Sequence, residues 1–204
     1  METFYDLLRM DLTEMLNRPY LRQRRQHAKR YRLKTLVCVM ECPKFLANIA
    51  SVIRNVNALG VSKLYIVDPM HVYKANDIKK LSVGSDRWTF VRIFPSTRDC
   101  IQFLIQRNYI SVGTSPHLLN QQNVELHSGT FTDRKLAVWF GNETHGLSQE
   151  ALEHCDRCVQ IPMRGMVESY NLASYTAIVL YVISQQRLQY KRAQNISHPN
   201  ANSI

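Results

Sequence analysis

The stretch Ile161-Pro162-Met163-Arg164-Gly165-Met166-Val167-Glu168-Ser169-Tyr170-Asn171 follows an apolar run over 157–161 and precedes Leu172, Thr176, Val179, Leu180 and Ile183 at helical spacing. The pattern predicts a strand, a polar turn and a long helix over about 172–190. Outward from it, runs rich in β-branched and aromatic residues recur at 35–40, 63–67, 90–94, 109–113 and 135–140. Most of these read as strands buried on both faces. Between them, Ile49, Val52, Ile53, Val56 and Leu59 mark one side of a helix closed by Gly60, with Arg54 and Asn55 pointing elsewhere, and a second helical pattern covers 97–106. Strands alternating with helices predict an α/β fold built on a parallel sheet. Ligands of such sheets bind at the carboxyl ends of the strands. Three junctions meet that description: Asn48 to Arg54 leading to Gly60, Gly141-Asn142-Glu143-Thr144-His145-Gly146-Leu147, and the turn quoted above. They are expected to form one composite site. No strand is followed by GxGxxG or GxxxxGK[ST], which argues against a Rossmann oxidoreductase or a P-loop nucleotide hydrolase.

At 204 residues the chain is long enough for one catalytic domain with an appendage. Residues 1–33 read as a polar helical extension, with Leu7, Leu8, Leu12, Met15 and Leu16 as a modest apolar stripe; 34–192 is the main domain and 193–204 a polar tail expected to be disordered. The net charge of +10 is concentrated in Arg18, Arg22, Arg24, Arg25, Lys29, Arg30, Arg32 and Lys34, with no acid among them. That run, flanked by Tyr20 and Tyr31, favours a polyanion such as RNA, against the plainer alternative of a solvated helical face. No run of about 18 apolar residues is present and the start of the chain lacks the order of a signal peptide, so a cytoplasmic protein is expected. Five cysteines suit a reducing compartment. Cys38 and Cys42, and Cys155 and Cys158, form two close pairs that resemble zinc half-sites, but Cys38 and Cys158 sit in apolar strand patterns and read as core, so no metal is expected.

The motifs, taken in order, resemble the SPOUT superfamily of knotted methyltransferases, and within it the TrmH-type RNA ribose 2′-O-methyltransferases. The likeness covers roughly 36–187. Its first motif is Asn48, Arg54 and Gly60; its second is Gly141, Glu143 and Gly146 after a strand; its third is Ile161, Pro162, Met163, Gly165, Ser169 and Asn171. Similarity through Gly84-Ser85-Asp86-Arg87-Trp88 and the closing Gln185-Gln186-Arg187 is closest to the tRNA enzymes of the D-loop guanosine. Two departures stand out: Tyr170 occupies a position where relatives carry Leu or Met, and four residues rather than one separate Pro43 from Asn48.

The resemblance implies a C-terminal deep trefoil knot, a homodimer whose sites combine both subunits, S-adenosylmethionine as cofactor, and RNA, foremost tRNA, as substrate. Ribosomal RNA and the tRNA wobble nucleotide are alternative targets of the same chemistry, and a knotted RNA-binding module without turnover is the alternative of another class. The cofactor pocket carries over to Thr114, Gly141, Ile161 and Tyr170, mostly through backbone groups, and the catalytic set to Arg54, Asn48, Glu143, Ser169 and Asn171. Arg22, Arg24, Arg25, Lys29 and Arg30 are the candidate RNA-docking residues. Chemistry refines the role of Arg54: a guanidinium, with a pKa above about 12, is a poor proton acceptor and a good fork for phosphate. The plainer roles are turns of positive φ for Gly141 and Gly165, helix N-caps for Asn48 and Asn171, and a solvated loop carboxylate for Glu143.

Overall fold

The computed structural model describes residues 19–71, 73, 88–115 and 123–197, the last three without side-chain detail. Expectations for 1–18, for Gly84 to Arg87 and for 198–204 fall outside these residues. The described strands are β1 (Leu33–Glu41), β2 (Val61–Val67), β3 (Phe90–Phe94), β4 (Ile110–Thr114), β5 (Asn123–Glu125), β6 (Leu136–Phe140) and β7 (Arg157–Gln160). All neighbours pair in parallel, in the order β3-β2-β1-β6-β4-β7-β5. The helices are α1 (Pro19–Arg30), α2 (Leu46–Ala58), α3 (Thr97–Ile105), α4 (Gln149–His154) and α5 (Leu172–Ser197).

Two-residue periodicity divides the core between the faces of the sheet. Leu36, Cys38 and Met40 of β1 point to one side and pack with Ile49, Val52, Ile53 and Val56 of α2 and Val179, Leu180 and Ile183 of α5. Val37 and Val39 point to the other, with Tyr65, Trp139, Cys100 and Leu104 of α3 and Ala151 of α4. Burial on both faces explains why β1, β2 and β6 are nearly continuous apolar runs. β3 departs from the expectation: it is an edge strand in which only Phe94 is buried. Gly60 closes α2 at φ +74°, and a Cβ there would lie 2.7 Å from the Tyr31 carbonyl oxygen, so both conformation and space require glycine.

Three features differ from the sequence reading. The three-residue β5 and six-residue α4 were not anticipated, being too short to show a period. α5 runs to Ser197 rather than stopping near Tyr190, and so takes in the first five residues of the expected tail, because no breaker precedes Pro199. The long helix is pinned by its own polar residues: Gln186 accepts from the Phe131 amide and donates to the Gly129 carbonyl. Arg187 donates to the carbonyls of Phe131, Asp133 and Arg134 and to Thr35 Oγ1. Burial lowers the pKa of Arg187, opposed by Asp133.

β6 and β7 enter the sheet late in the chain, β6 between β1 and β4, β7 between β4 and β5. The carboxyl ends of β1, β6, β4 and β7 therefore follow one another along the sheet, and the loops after β1, β6 and β7 meet there.

Candidate active site

Three loops converge there, and their side chains form one relay. Glu143 follows β6 and reaches back to the start of α2, accepting from the amides of Lys44 at 2.7 Å and Phe45 at 3.3 Å and from Asn48 Nδ2 at 2.7 Å. Asn48 Oδ1 in turn accepts from Asn171 Nδ2 at 3.1 Å. Asn171 Oδ1 caps α5 by accepting from the amides of Ala173 at 2.9 Å and Ser174 at 3.3 Å. Asn171 thus fills the N-cap role expected of it. Asn48 does not: α2 begins at Leu46, its N-cap is Phe45 with no side-chain cap bond, and Asn48 lies in the first turn. The capping acceptor comes instead from Glu143, nearly a hundred positions away, where the positive end of the helix favours a carboxylate.

Burial works to raise the Glu143 pKa, but donors from Asn48, Lys44, its own amide and Phe45 outweigh it and hold the carboxyl below its usual range. A carboxylate so held is less basic than an ordinary one, and its three donors make Glu143 an anchor between the loops. Because the folded pKa is depressed, its stabilisation is complete above the unfolded value of about 4.3 and is lost as pH falls through the lower folded value. Glu143→Gln is expected to be less stable than wild type by about 1 kcal/mol at pH 7, the modest end for bonds to a partly exposed charge. Denaturant unfolding repeated from pH 7 down to pH 3 should show that gap closing; a gap constant with pH would remove the charge from the explanation.

The second loop is shaped by close approach. Asn142 and Gly146 exchange backbone hydrogen bonds, each 2.9 Å, and Asn142 Oδ1 accepts from Thr144 N at 2.8 Å. Asn142 Nδ2 donates to the carbonyl of Cys42, which turns β1 toward α2 at φ 48°. A Cβ on Gly141 would lie 2.0 Å from the Gly146 carbonyl carbon. The turn reading of the glycines is thereby corrected: Gly146, not Gly141 or Gly165, has positive φ, and Gly165 stands in open space. Asn142 was missed in the sequence, although Asn before a short loop closed by Gly is a turn signal. Glu41 was missed too. It ends β1 almost fully buried and accepts from Thr97 Oγ1, Ser148 N and Ser148 Oγ, joining α3 and α4 to the sheet; a lone acid closing an apolar strand was its signal.

Not every expected residue joins the relay. The side chains of Arg54 and Ser169 are exposed and make no hydrogen bond or ion pair to another described residue. Arg54 shares the outer face of α2 with the exposed small residues Ala47, Ser51 and Ala58, while Asn55 faces inward and donates to the Ala173 carbonyl. The Thr114 hydroxyl is turned into the core, donating to the Trp139 carbonyl, so only its backbone faces the loops. Tyr170 stacks at 6.3 Å on Tyr175, whose hydroxyl burial pushes up to about 12, against the lowering effect of the Ile161 backbone. Between Ile161 and Asn171, the backbone of 162–170 makes no hydrogen bond to another described residue, and Met166 and Val167 are exposed. Free amides and carbonyls beside apolar side chains fit a planar heterocycle such as adenine, held mainly by main-chain groups. The cysteine pairs divide otherwise: Cys38 packs on one face of the sheet and Cys155 and Cys158 on the other.

The family model of the SpoU rRNA methylases matches residues 35–181. The chain belongs to the SpoU family. A tRNA (guanosine(18)-2'-O)-methyltransferase of Thermus thermophilus is 30% identical over 168 residues, covering 82% of this chain and 84% of the relative. Among solved structures, the A. aeolicus TrmH/SpoU tRNA modifying enzyme superposes with a TM-score of 0.69 at 25% identity, over 88% of this chain and 90% of its own. The SpoU methyltransferase AviRb of Streptomyces viridochromogenes, in complex with AdoMet, gives a TM-score of 0.67 at 29% identity over 77% of this chain and 59% of its own. All three SpoU motifs of the sequence reading fall inside the matched residues, and the relay from Glu143 through Asn48 to Asn171 joins one residue from each.

Proposed function

We propose that the chain is an S-adenosylmethionine-dependent RNA ribose 2′-O-methyltransferase acting on tRNA at guanosine 18, the target of its Thermus thermophilus relative. The observation that carries the reading is the relay itself: three loops with no common local pattern are locked together by Glu143, Asn48 and Asn171, leaving Arg54 unengaged beside them.

When bound, S-adenosylmethionine supplies a methyl group on a cationic sulfur, transferable in line to a hydroxyl oxygen. Backbone groups of Thr114, Gly141, Ile161 and Tyr170 would hold it, in keeping with the free main chain of 162–170. Arg54 grips the phosphate next to the target ribose in a fork and stabilises the negative charge developing on the hydroxyl oxygen, remaining protonated throughout. Asn48 and Asn171 hold the loops at the spacing in-line transfer requires. Glu143 is occupied by three donors, so the hydroxyl proton passes to water or a phosphate oxygen. Ser169, exposed and without a partner among the described residues, is available to the cofactor or the ribose.

Two structural expectations belong to the same reading. A trefoil knot is supported by the resemblance and by the late insertion of β7 between β4 and β5, which precede it in the chain. A homodimer is supported by the flat outer face of α2 and by exposed Ile178 and Tyr181 on α5. Helix α1 buries none of its residues, and Arg22, Arg24, Arg25, Lys29 and Arg30 are all exposed, as docking to RNA phosphates requires. Replacing Arg22, Arg24 and Arg25 by Gln should weaken tRNA binding and reduce the slope of log K against log salt by about 2, at about 0.7 per lost phosphate contact, with cofactor affinity unchanged. An unaltered slope would return α1 to a solvated face.

The deciding experiment is transfer of labelled methyl from S-adenosylmethionine to unmodified tRNA and ribosomal RNA, with the modified ribose mapped. Label at guanosine 18 is expected. Label on ribosomal RNA or the wobble nucleotide would keep the chemistry and replace the substrate, whereas cofactor binding without transfer to any RNA would leave a binding module.

A further inference from the structure

A second basic surface runs from the amino-terminal ends of β4 and β6 across β2 to the middle of the edge strand β3. Tyr109, directly before β4, has two ammonium groups over its ring, Lys63 Nζ at 5.7 Å and Lys135 Nζ at 5.8 Å, and Lys63 also donates to its hydroxyl at 3.0 Å. Lys135 Nζ donates to the Arg107 carbonyl at 2.7 Å. The Arg107 guanidinium lies 3.6 Å from the centre of the Phe103 ring, and that of Arg92 4.0 Å from the same ring and 4.8 Å from Phe94. Phe103 and Phe94 are themselves edge-to-face, 5.3 Å apart. Four cations from β2, β3, the end of α3 and the start of β6 are thus drawn together on three rings. None of the four forms an ion pair with a described carboxylate.

Four like charges within one surface repel one another, a cost that solvation alone meets more easily when the side chains splay apart. Aromatic faces hold them in place instead, their attraction for the cations offsetting the repulsion. The surface is also continuous with the basic helix. α1 leads directly into β1 at the amino-terminal ends of the strands, and Arg32 donates to the Trp88 carbonyl at 2.9 Å, tying that junction to the start of β3.

We infer that Lys63, Arg92, Arg107 and Lys135 form a second RNA-backbone contact surface, one that grips phosphates remote from the methylated nucleotide and, with α1, selects large folded RNA over isolated loops. This rests on the proposed function. Lys135 and Gly141 bracket β6, so at about 3.3 Å per residue Lys135 stands about 20 Å from the composite site. An RNA reaching both must extend past its own target loop. The partner is a polyanion with regularly spaced charge, which neutralises fixed cations without sequence choice.

The test compares binding of full-length unmodified tRNA and of its isolated D-arm stem-loop across a salt series. In the full chain, Lys63→Gln, Arg92→Gln, Arg107→Gln and Lys135→Gln are combined, and the exposed pair Arg92→Gln with Arg107→Gln is made separately, so that an unstable quadruple variant does not decide the matter. For full-length tRNA the slope of log K against log salt should fall by about 3 in the quadruple variant and about half that in the double. The D-arm slope should change far less. Unchanged slopes for full-length tRNA, or equal losses on tRNA and D-arm, would overturn the remote contact. Loss of binding to polyglutamate with tRNA binding intact would overturn it in favour of an acidic protein partner. Should wild type bind no RNA at all, the enzymatic reading fails first and this surface with it.

Discussion

Arg54→Ala is expected to lower methyl transfer to tRNA by about 10²- to 10³-fold, the usual loss when one preorganised donor to a developing oxyanion is removed. The variant should fold as well as wild type, within about 0.5 kcal/mol, because Arg54 is exposed and engages no other described residue. Arg54→Lys separates two roles of the side chain. A lysine restores the charge but not the planar fork, so most of the loss should remain. Single-turnover rates with saturating S-adenosylmethionine and tRNA would measure both variants, with cofactor affinity as the control. If Arg54→Lys keeps most of the turnover, charge alone suffices and the fork plays no part. A rate that rises with pH and is lost in the alanine variant would instead favour the arginine as proton acceptor, against the basicity argument given above.

Gly141→Ala should be the most disruptive single methyl group in the molecule. Its Cβ would stand 2.0 Å from the Gly146 carbonyl carbon, 2.2 Å from the Leu147 nitrogen and 2.3 Å from the Gly146 carbonyl oxygen. Those atoms are backbone, the oxygen accepting from the Asn142 amide, and cannot swing away as a side-chain end does. The loop must shift as a body, which moves Glu143 off the start of α2 and opens the relay to Asn48 and Asn171. Overpacking of this kind is expected to cost about 3 kcal/mol, or about 6–12 °C in Tm for a chain of this size. Methyl transfer should fall with it even at temperatures where the variant is folded. Gly165→Ala is the matched control: nothing lies within 4 Å of the added methyl, and the change in stability should stay within about 0.5 kcal/mol. Thermal unfolding of the two variants side by side is the measurement, and equal melting temperatures would mean that the Gly141 loop is softer than its packing indicates.

Strands buried on both faces were easy to read because an unbroken run such as Leu36 to Met40 has no use on a surface. α2 was readable because its five buried residues repeat at helical spacing. β3 was read with correct bounds but not singled out as an edge strand, since Phe90, Val91 and Ile93 look the same in sequence whether a further strand covers them or not. The site divided along similar lines. Asn171 as a cap follows from local chemistry, an Asn set directly before a helix. Asn48 looked equivalent and was not, because the chain enters α2 two residues earlier and the cap was delegated to Glu143. Thr114, picked for the pocket, has its hydroxyl committed to the core.

From its sequence alone this protein is a parallel α/β domain whose motifs resemble the TrmH-type RNA methyltransferases, with three loops at strand ends and a basic helix before the first strand. Those properties are set by side-chain periodicity, charge and motif order, which act over a few neighbours at a time. Only the tertiary structure decides that Glu143 serves as the acceptor at the start of α2, that Gly141 is demanded by the loop folding back over it, and that Lys63, Arg92, Arg107 and Lys135 share one surface. The physical reason is the same in each case. Late strands inserted between early ones bring together groups far apart in the chain, and a hydrogen bond, a steric contact or a cation over a ring depends on distances in space that no local pattern records.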